Sequence, residues 1–267
     1  MATSTRFLRG WIVLYSAAVY VFIAGIVVIV LQIGFDKPTV SEVFPQGELR
    51  IGVDASYAPL AFSTSDGLAG LEIDLGTRIA EEIGLTPRFI NIGFDSLYDS
   101  LIGEPALVDV VISQLLITPS RTGSVFYTTP YVNSGLVLVV PSESDIQTMR
   151  DLSGYSLAYE FGSSADNESR KWLRRIPEYD IRPYELSRYA LDAVRLGDAD
   201  AALVDFVTAR LYFRDYPEWS ATYYEVTDAL YAIAVNIHQV DRWQLINRTL
   251  NELIADDYVR ELLDKWL

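Results

Sequence analysis

The sequence predicts an α/β protein of two lobes joined by two crossing strands, preceded by one membrane-spanning helix. Three observations lead there. From Glu48 onward, strand-like and helix-like segments alternate, which is the pattern of largely parallel sheets covered by helices. The alternation restarts after Pro141, giving two rounds joined near Leu136–Val140 and again near Ala229–Ala234. Before all of this, Trp11–Phe35 runs without a single charged residue.

Taken in order, Leu49–Val53 is a short apolar β run. Ile73–Ile83 places Ile73, Leu75, Ile79, Ala80 and Ile83 at helical spacing, with Gly84 where a C-terminal cap belongs. Val108–Ser113 reads as a buried strand, followed by a polar break, Pro119, and β runs at Val125–Tyr127 and Gly135–Val140. The second round predicts a helix near Gln147–Leu152, strand Ser156–Tyr159, helix Ala165–Leu173 and strand Ile181–Tyr184. Helix Leu186–Leu196 and strand Ala201–Val204 follow. Strand Tyr231–Asn236 and helices Trp243–Leu253 and Tyr258–Trp266 close the chain. On this reading one lobe comprises 48–136 with 232–267, and the other 137–231.

Composition narrows the function classes. Half of the 267 residues are hydrophobic and 12% are aromatic, ample for a sizeable core and unlike a disordered chain. A formal charge of −15 is the opposite of a nucleic-acid footprint, and no basic patch interrupts it. The absence of cysteine excludes disulfides, thiol catalysis and cysteine-ligated metals. It also excludes a lipid anchor on an N-terminal cysteine. With His238 the only histidine, His-pair metal motifs and most Ser–His nucleophiles are excluded too. No cofactor, metal site or catalytic residue is expected.

The run Trp11–Phe35 is long enough to cross a hydrocarbon core of about 30 Å at about 1.5 Å per residue. Arg6 and Arg9 precede it and Asp36 ends it, so residues 1–10 are expected in the cytoplasm and everything after Phe35 outside. A cleaved signal segment is the competing reading. Its apolar region is normally shorter and ends in a small-x-small site, which Val-Leu-Gln-Ile-Gly-Phe does not supply. Residues 36–47, polar with two prolines, read as a short linker.

Several separated motifs then carry a resemblance. They are Leu-Arg-Ile-Gly-Val-Asp-Ala-Ser-Tyr-Ala-Pro-Leu from Leu49, Gly-Leu-Glu-Ile-Asp-Leu from Gly70, Phe-Asp-Ser-Leu from Phe94 and Val-Asp-Val-Val-Ile-Ser from Val108. Ile-Thr-Pro-Ser-Arg from Ile117, Thr-Thr-Pro-Tyr from Thr128, Phe-Gly-Ser-Ser from Phe161 and Ala-Asp-Ala-Ala-Leu-Val-Asp from Ala199 follow. In that order, over Leu49–Leu267, the chain resembles the type II periplasmic binding proteins, specifically the amino-acid-binding family 3 receptors of ABC importers. The resemblance implies two lobes that close on a free amino acid and present the closed shape to an ABC permease. The chain is expected to act as a monomer.

An amino acid is a zwitterion, so its receptor needs a fixed cation and a fixed anion close together. Arg121 follows a strand and a tight polar turn, and its guanidinium fork suits a carboxylate better than lysine would. Gly162-Ser163-Ser164 lies between a strand and a helix, where backbone N–H groups face a bound anion. Asp205 matches the family's ammonium-binding aspartate, and the main chain near Ser113 is placed to add an acceptor. Tyr57 and Phe94 match the aromatics that flank the ligand side chain. Asp54 and Glu160 fall near its far end, where two carboxylates favour a cationic side chain. Leu116 departs from the pattern, replacing a serine that often adds a hydroxyl to the carboxylate.

Each residue also has a plain structural reading. Arg121 alone suits a surface ion pair, Asp205, Ser163 and Ser164 suit helix N-caps, and Tyr57 and Phe94 suit a core. Two other functions fit the same pattern. One is a sensor signalling through a partner chain. The other is an enzyme resembling the cyclohexadienyl dehydratases of this fold, with Glu160 or Asp54 as its acid.

Overall fold

In the computed structural model, which describes residues 38–176 and 178–267, two five-stranded sheets are built on one strand plan. The first part of the chain supplies β1 (Glu48–Val53), the meander β2 (Ser56–Tyr57), β3 (Ala61–Thr64) and β4 (Gly67–Ala69), then α1 (Leu71–Glu82) and β5 (Thr86–Asn91). A 3-10 turn, Phe94–Ser96, leads into α2 (Leu97–Ile102) and β6 (Val110–Val111). A second, Pro119–Arg121, precedes β7 (Val125–Tyr127). The chain crosses through β8 (Val132–Asn133) into β9 (Leu136–Pro141) and β10 (Ser156–Glu160). There follow α3 (Ser164–Leu173), β11 (Asp180–Tyr184), α4 (Ser187–Arg195), β12 (Ala201–Asp205), α5 (Phe206–Asp215) and β13 (Ala221–Glu225). It returns through β14 (Leu230–Tyr231) to β15 (Ala234–Asn236), α6 (Val240–Ala255) and α7 (Tyr258–Trp266).

The sheet orders are β5-β1-β6-β15-β7 and β11-β10-β12-β9-β13. In each, three strands run parallel, the fourth pairs antiparallel, and the fifth pairs antiparallel to the fourth. The fourth strand is the one that adjoins a crossing: β15 just after the return, β9 just after the outward passage. Strands in the middle of such sheets are buried on both faces and need continuous apolar sequence. Leu136–Val140 meets that demand with every residue buried. Helix α4 covers its sheet with Ala190, Leu191, Ala193 and Val194, one stripe at helical spacing.

Two glycines are required by close approach. Gly70 sits at φ 131°, and a Cβ there would stand 2.3 Å from the Leu60 carbonyl oxygen, so α1 can start against the meander only with glycine. At Gly135 a Cβ would stand 1.7 Å from the Thr227 carbonyl oxygen, where the two crossing strands pass each other. Asn133 locks that passage. Its Nδ2 donates to Asp228 Oδ1 at 2.8 Å, and its Oδ1 accepts from Ala229 N–H at 3.0 Å and Gly135 N–H at 3.1 Å.

Three expectations change. The helix over Gln147–Leu152 is a 3-10 turn, Met149–Leu152, closed by a reciprocal Thr148–Asp151 capping box. The strand over Val108–Ser113 shortens to Val110–Val111. Tyr231–Asn236 divides in two because Tyr231 pairs with Val132 while Ala234 pairs with Val111 and Tyr127. The expected span Trp11–Phe35 and the residues before it lie outside the described residues. Among the described residues no helix is long and apolar enough to cross a membrane.

Candidate functional site

In open α/β sheets, ligands bind beyond the carboxyl ends of the parallel strands. Asp54 follows β1, Phe94 follows β5 and Ser113 follows β6, all in the first sheet's lobe. In the other, Glu160 ends β10, Ser163 and Ser164 open α3, and Asp205 ends β12. Seven of the nine sequence-derived residues therefore lie at or just beyond the carboxyl ends of parallel strands; Tyr57 sits in the meander strand β2 and Arg121 in the 3-10 turn before β7.

On the first lobe these ends are cross-tied. The Asp54 N–H donates to Ser113 Oγ at 2.9 Å, and Ser113 is fully buried. The Asp54 carboxylate accepts from Ser56 N–H at 3.1 Å and from Phe94 N–H at 2.9 Å. One aspartate thus fixes the two turns that carry Tyr57 and Phe94. Both rings stay open to solvent, Tyr57 at 47% and Phe94 at 50% exposure, and are not core. Leu116, beside them in sequence order after Ser113, bridges antiparallel to Tyr231 with its side chain 44% exposed.

Arg121 ends its 3-10 turn with the backbone closed on both sides, donating N–H to Thr118 and accepting from Ser124 N–H. Its guanidinium lies 4.5 Å above the Tyr98 ring. Tyr98 shares a 2.7 Å hydroxyl–hydroxyl hydrogen bond with Tyr127, and burial, reinforced by that bond, raises its pKa. Among the described residues no carboxylate pairs with Arg121, although twelve other contacts in the molecule satisfy the salt-bridge distance. An exposed cation stacked on an aromatic face keeps its five N–H donors available.

On the second lobe each strand end closes mainly on its own helix. Ser163 Oγ caps α3, accepting from Ala165 N–H at 3.1 Å and Asp166 N–H at 3.3 Å, and donates to the Glu160 carbonyl at 2.7 Å. Gly162 N–H donates to Asp166 Oδ2 at 2.9 Å, and Arg170 Nε meets the other oxygen at 2.5 Å. The Gly162 hydrogen bond is the first cause of the lowered Asp166 pKa. Ser164 N–H makes no hydrogen bond among the described residues, and Ser164 is exposed. Of the Gly-Ser-Ser donors, it is the one not already used within the turn. The Glu160 carboxylate accepts from Ser187 N–H at 2.9 Å and Ser187 Oγ at 2.7 Å, capping the start of α4. Asp205 caps α5 through Thr208 N–H at 2.9 Å and Thr208 Oγ1 at 2.6 Å.

Across the cleft, charge couples the halves. Burial first, then the Asp205 carboxylate, raises the pKa of Tyr57. Burial leads at Tyr231 too, with Asp205 again raising it. Asp205, Tyr57 and Tyr231 thus come from second lobe, first lobe and crossing strand into one electrostatic neighbourhood. Among the described residues Arg121 makes no side-chain hydrogen bond or ion pair with the second lobe. Among the described residues no group of acidic or histidine side chains is arranged to hold a metal ion.

Two features escaped the sequence reading. Tyr98, four residues beyond Phe94, carries the ring under Arg121, which no spacing in the sequence marks. Glu72 is completely buried, and it stands three, four and seven residues before Leu75, Gly76 and Ile79 on the helix face that packs inward. A carboxylate on an apolar stripe was the signal available.

The family model described as bacterial extracellular solute-binding proteins, family 3, matches residues 49–267. An Escherichia coli protein, the L-cystine-binding protein TcyJ, is 27% identical over 240 residues, covering 86% of each chain. An ancestral cationic amino acid solute binding protein of known structure is 25% identical, with a TM-score of 0.65, and is matched over 86% of this chain and 99% of that one. The L-cystine solute receptor of Neisseria gonorrhoeae, in its unliganded open conformation, gives a TM-score of 0.74 over 86% of this chain and 96% of that one. At 22% identity that likeness concerns the fold.

Proposed function

The chain belongs to the bacterial extracellular solute-binding proteins, family 3, and on that premise we propose that it captures a free amino acid between its lobes for an ABC importer. The observation that carries this reading is Arg121: an exposed arginine whose guanidinium is stacked on Tyr98 and has no carboxylate partner among the described residues. The ligand carboxylate is the missing partner. Ser164 N–H and the start of α3 meet it from the other lobe on closure, and Asp205 takes the ammonium while continuing to cap α5. Tyr57 and Phe94 line the side-chain space, with Ser113 fixing the turn beneath them.

Binding fits better than dehydration. Asp54 and Glu160, the acids an enzyme would use, are both engaged as hydrogen-bond acceptors that hold backbone N–H groups of neighbouring turns. The same two charges near the far end of the pocket favour a cationic side chain. That preference accords with the cationic amino acid named for the ancestral relative. In this reading Trp11–Phe35 anchors the domain on the extracytoplasmic side, and the binding domain works as a monomer.

The test is a melting-temperature screen of the full-length chain with the twenty amino acids, L-cystine, prephenate and arogenate. A specific amino acid at about 100 times its Kd adds about 2.7 kcal/mol of stability. A screen with no shift for any amino acid overturns the reading, and turnover of prephenate or arogenate replaces it with the enzyme. For the anchor, membrane fractionation decides: removing 1–35 must release the protein.

A further inference from the structure

Beneath the first lobe's binding edge lies a carboxylate that the function above does not use. Glu72 opens α1 with its side chain at zero exposure. Its Oε1 accepts from Gln114 N–H at 2.7 Å and from Tyr131 Oη at 2.6 Å, while Oε2 is buried without a partner. Gln114 is held at φ 51°, one of two non-glycine residues with positive φ among the described residues. That backbone turn ends β6 and sends the chain past Leu116 towards Arg121. The segment it releases zips onto the crossing strand: Ala232 N–H donates to the Leu115 carbonyl, and Ile117 N–H to the Leu230 carbonyl. Tyr131 is attached to the same strand, donating its N–H to the Tyr231 carbonyl. One carboxylate oxygen therefore joins helix α1, the turn behind Ser113 and the entry to the crossing.

We propose that Glu72 is a positioning residue of the binding face, fixing the Ser113–Ile117 segment against the crossing strands with a grip that depends on the charge of its carboxylate. The anion is the stronger acceptor for two donors at once. Protonation weakens both bonds and so loosens the hold on the strained Gln114 backbone, whose N–H otherwise has only a longer 3.3 Å contact with Tyr131 Oη. Burial above all pushes the Glu72 pKa up to about 6, opposed by the Tyr131 and Gln114 hydrogen bonds and helped by the Asp54 charge. The other groups acting on it are Tyr131 and Tyr231, both phenols with raised pKa, so they stay neutral donors here. Among the described residues no lysine, arginine or histidine pairs with Glu72. The site thus changes charge inside the range of ordinary extracytoplasmic pH.

The effect on ligand affinity rests on the amino-acid reading; the effect on the turn does not, and the test separates them. Full-length chain labelled with 15N-glutamine is titrated without ligand from pH 4.5 to 7.5 while the Gln114 amide resonance is followed. The wild type should show a transition near pH 6, Glu72→Gln should abolish it, and Tyr131→Phe, which removes one anion-stabilising donor, should move it to higher pH. A Gln114 resonance that does not move, or that moves alike in Glu72→Gln, overturns the proposal. In the second arm L-arginine and L-cystine are the probes. Wild-type affinity for whichever binds should fall about three- to tenfold from pH 7 to pH 5, as one proton linked through up to about one pKa unit allows. The Glu72→Gln profile should be flat. An unchanged slope in Glu72→Gln overturns the proposal. Failure of both probes to bind counts against those ligands alone, and the Gln114 titration then decides the role of Glu72.

Discussion

The two lobes share a strand plan but finish their binding edges differently. In the first, hydrogen bonds run between turns that follow different strands: Asp54 reaches Ser113 and Phe94, and Glu72 reaches Gln114 and Tyr131. In the second, bonds mostly stay within one strand–helix turn, as Ser163 caps α3 and Asp205 caps α5. Glu160 is the exception, crossing from β10 to α4. The difference teaches which side is the platform. The first lobe carries Tyr57 and Phe94 on a braced surface, and the second presents separate helix starts, each closed mainly on its own turn.

This contrast can be broken by substitution. Asp54→Ala removes two charge-assisted bonds to backbone N–H groups and frees both aromatic turns, so chemical denaturation should show a loss of about 2–3 kcal/mol. Amide exchange should rise at Ser56 and Phe94 together; protection lost at only one of them would contradict the bracing.

Glu72 gives the next effect, with a sign fixed by its pKa of about 6 against the ordinary 4.5. The folded state binds this proton more tightly than the unfolded chain does, so its contribution is present at low pH and is lost as pH rises from about 4.5 to 6. Glu72→Gln should therefore gain relative to wild type across that window, by roughly 1–2 kcal/mol above pH 6.5. Parallel stability curves for the two proteins would refute the linkage. The smallest effect belongs to the second lobe. Asp205→Ala should cost about 1 kcal/mol, the ordinary value of a lost N-cap, with exchange confined to the first turn of α5. Exchange spreading into β10 or the first lobe would show that the second lobe is braced as well.

What the sequence disclosed follows from burial. Central strands β1, β9, β10 and β12 are apolar runs because both faces are covered, and each was found. Edge strands β5 and β13 need no such run. Thr-Pro-Arg-Phe-Ile-Asn carries a proline that only an edge tolerates, and neither strand was anticipated. The meander β2–β4 is short and largely exposed, so it left no periodic trace. Residue types at strand ends marked Asp54, Glu160 and Asp205 as candidates, since a charge after a buried strand has few places to go. Partners were not legible. That Asp166 takes the Gly162 N–H, and that Tyr98 lies under Arg121, depend on rotamers and turns that no spacing encodes.

The central claim is that Arg121, which pairs with no carboxylate among the described residues, receives the carboxylate of an amino acid. Calorimetric titration of the full-length chain with its best amino acid, wild type against Arg121→Lys, tests this most directly. Lysine keeps the charge but loses the bidentate fork and the flat stacking on Tyr98, so affinity should fall at least about tenfold, or about 1.4 kcal/mol, with the melting temperature of the free protein nearly unchanged. Equal affinity in the two proteins would remove Arg121 from the site and the proposed clamp with it.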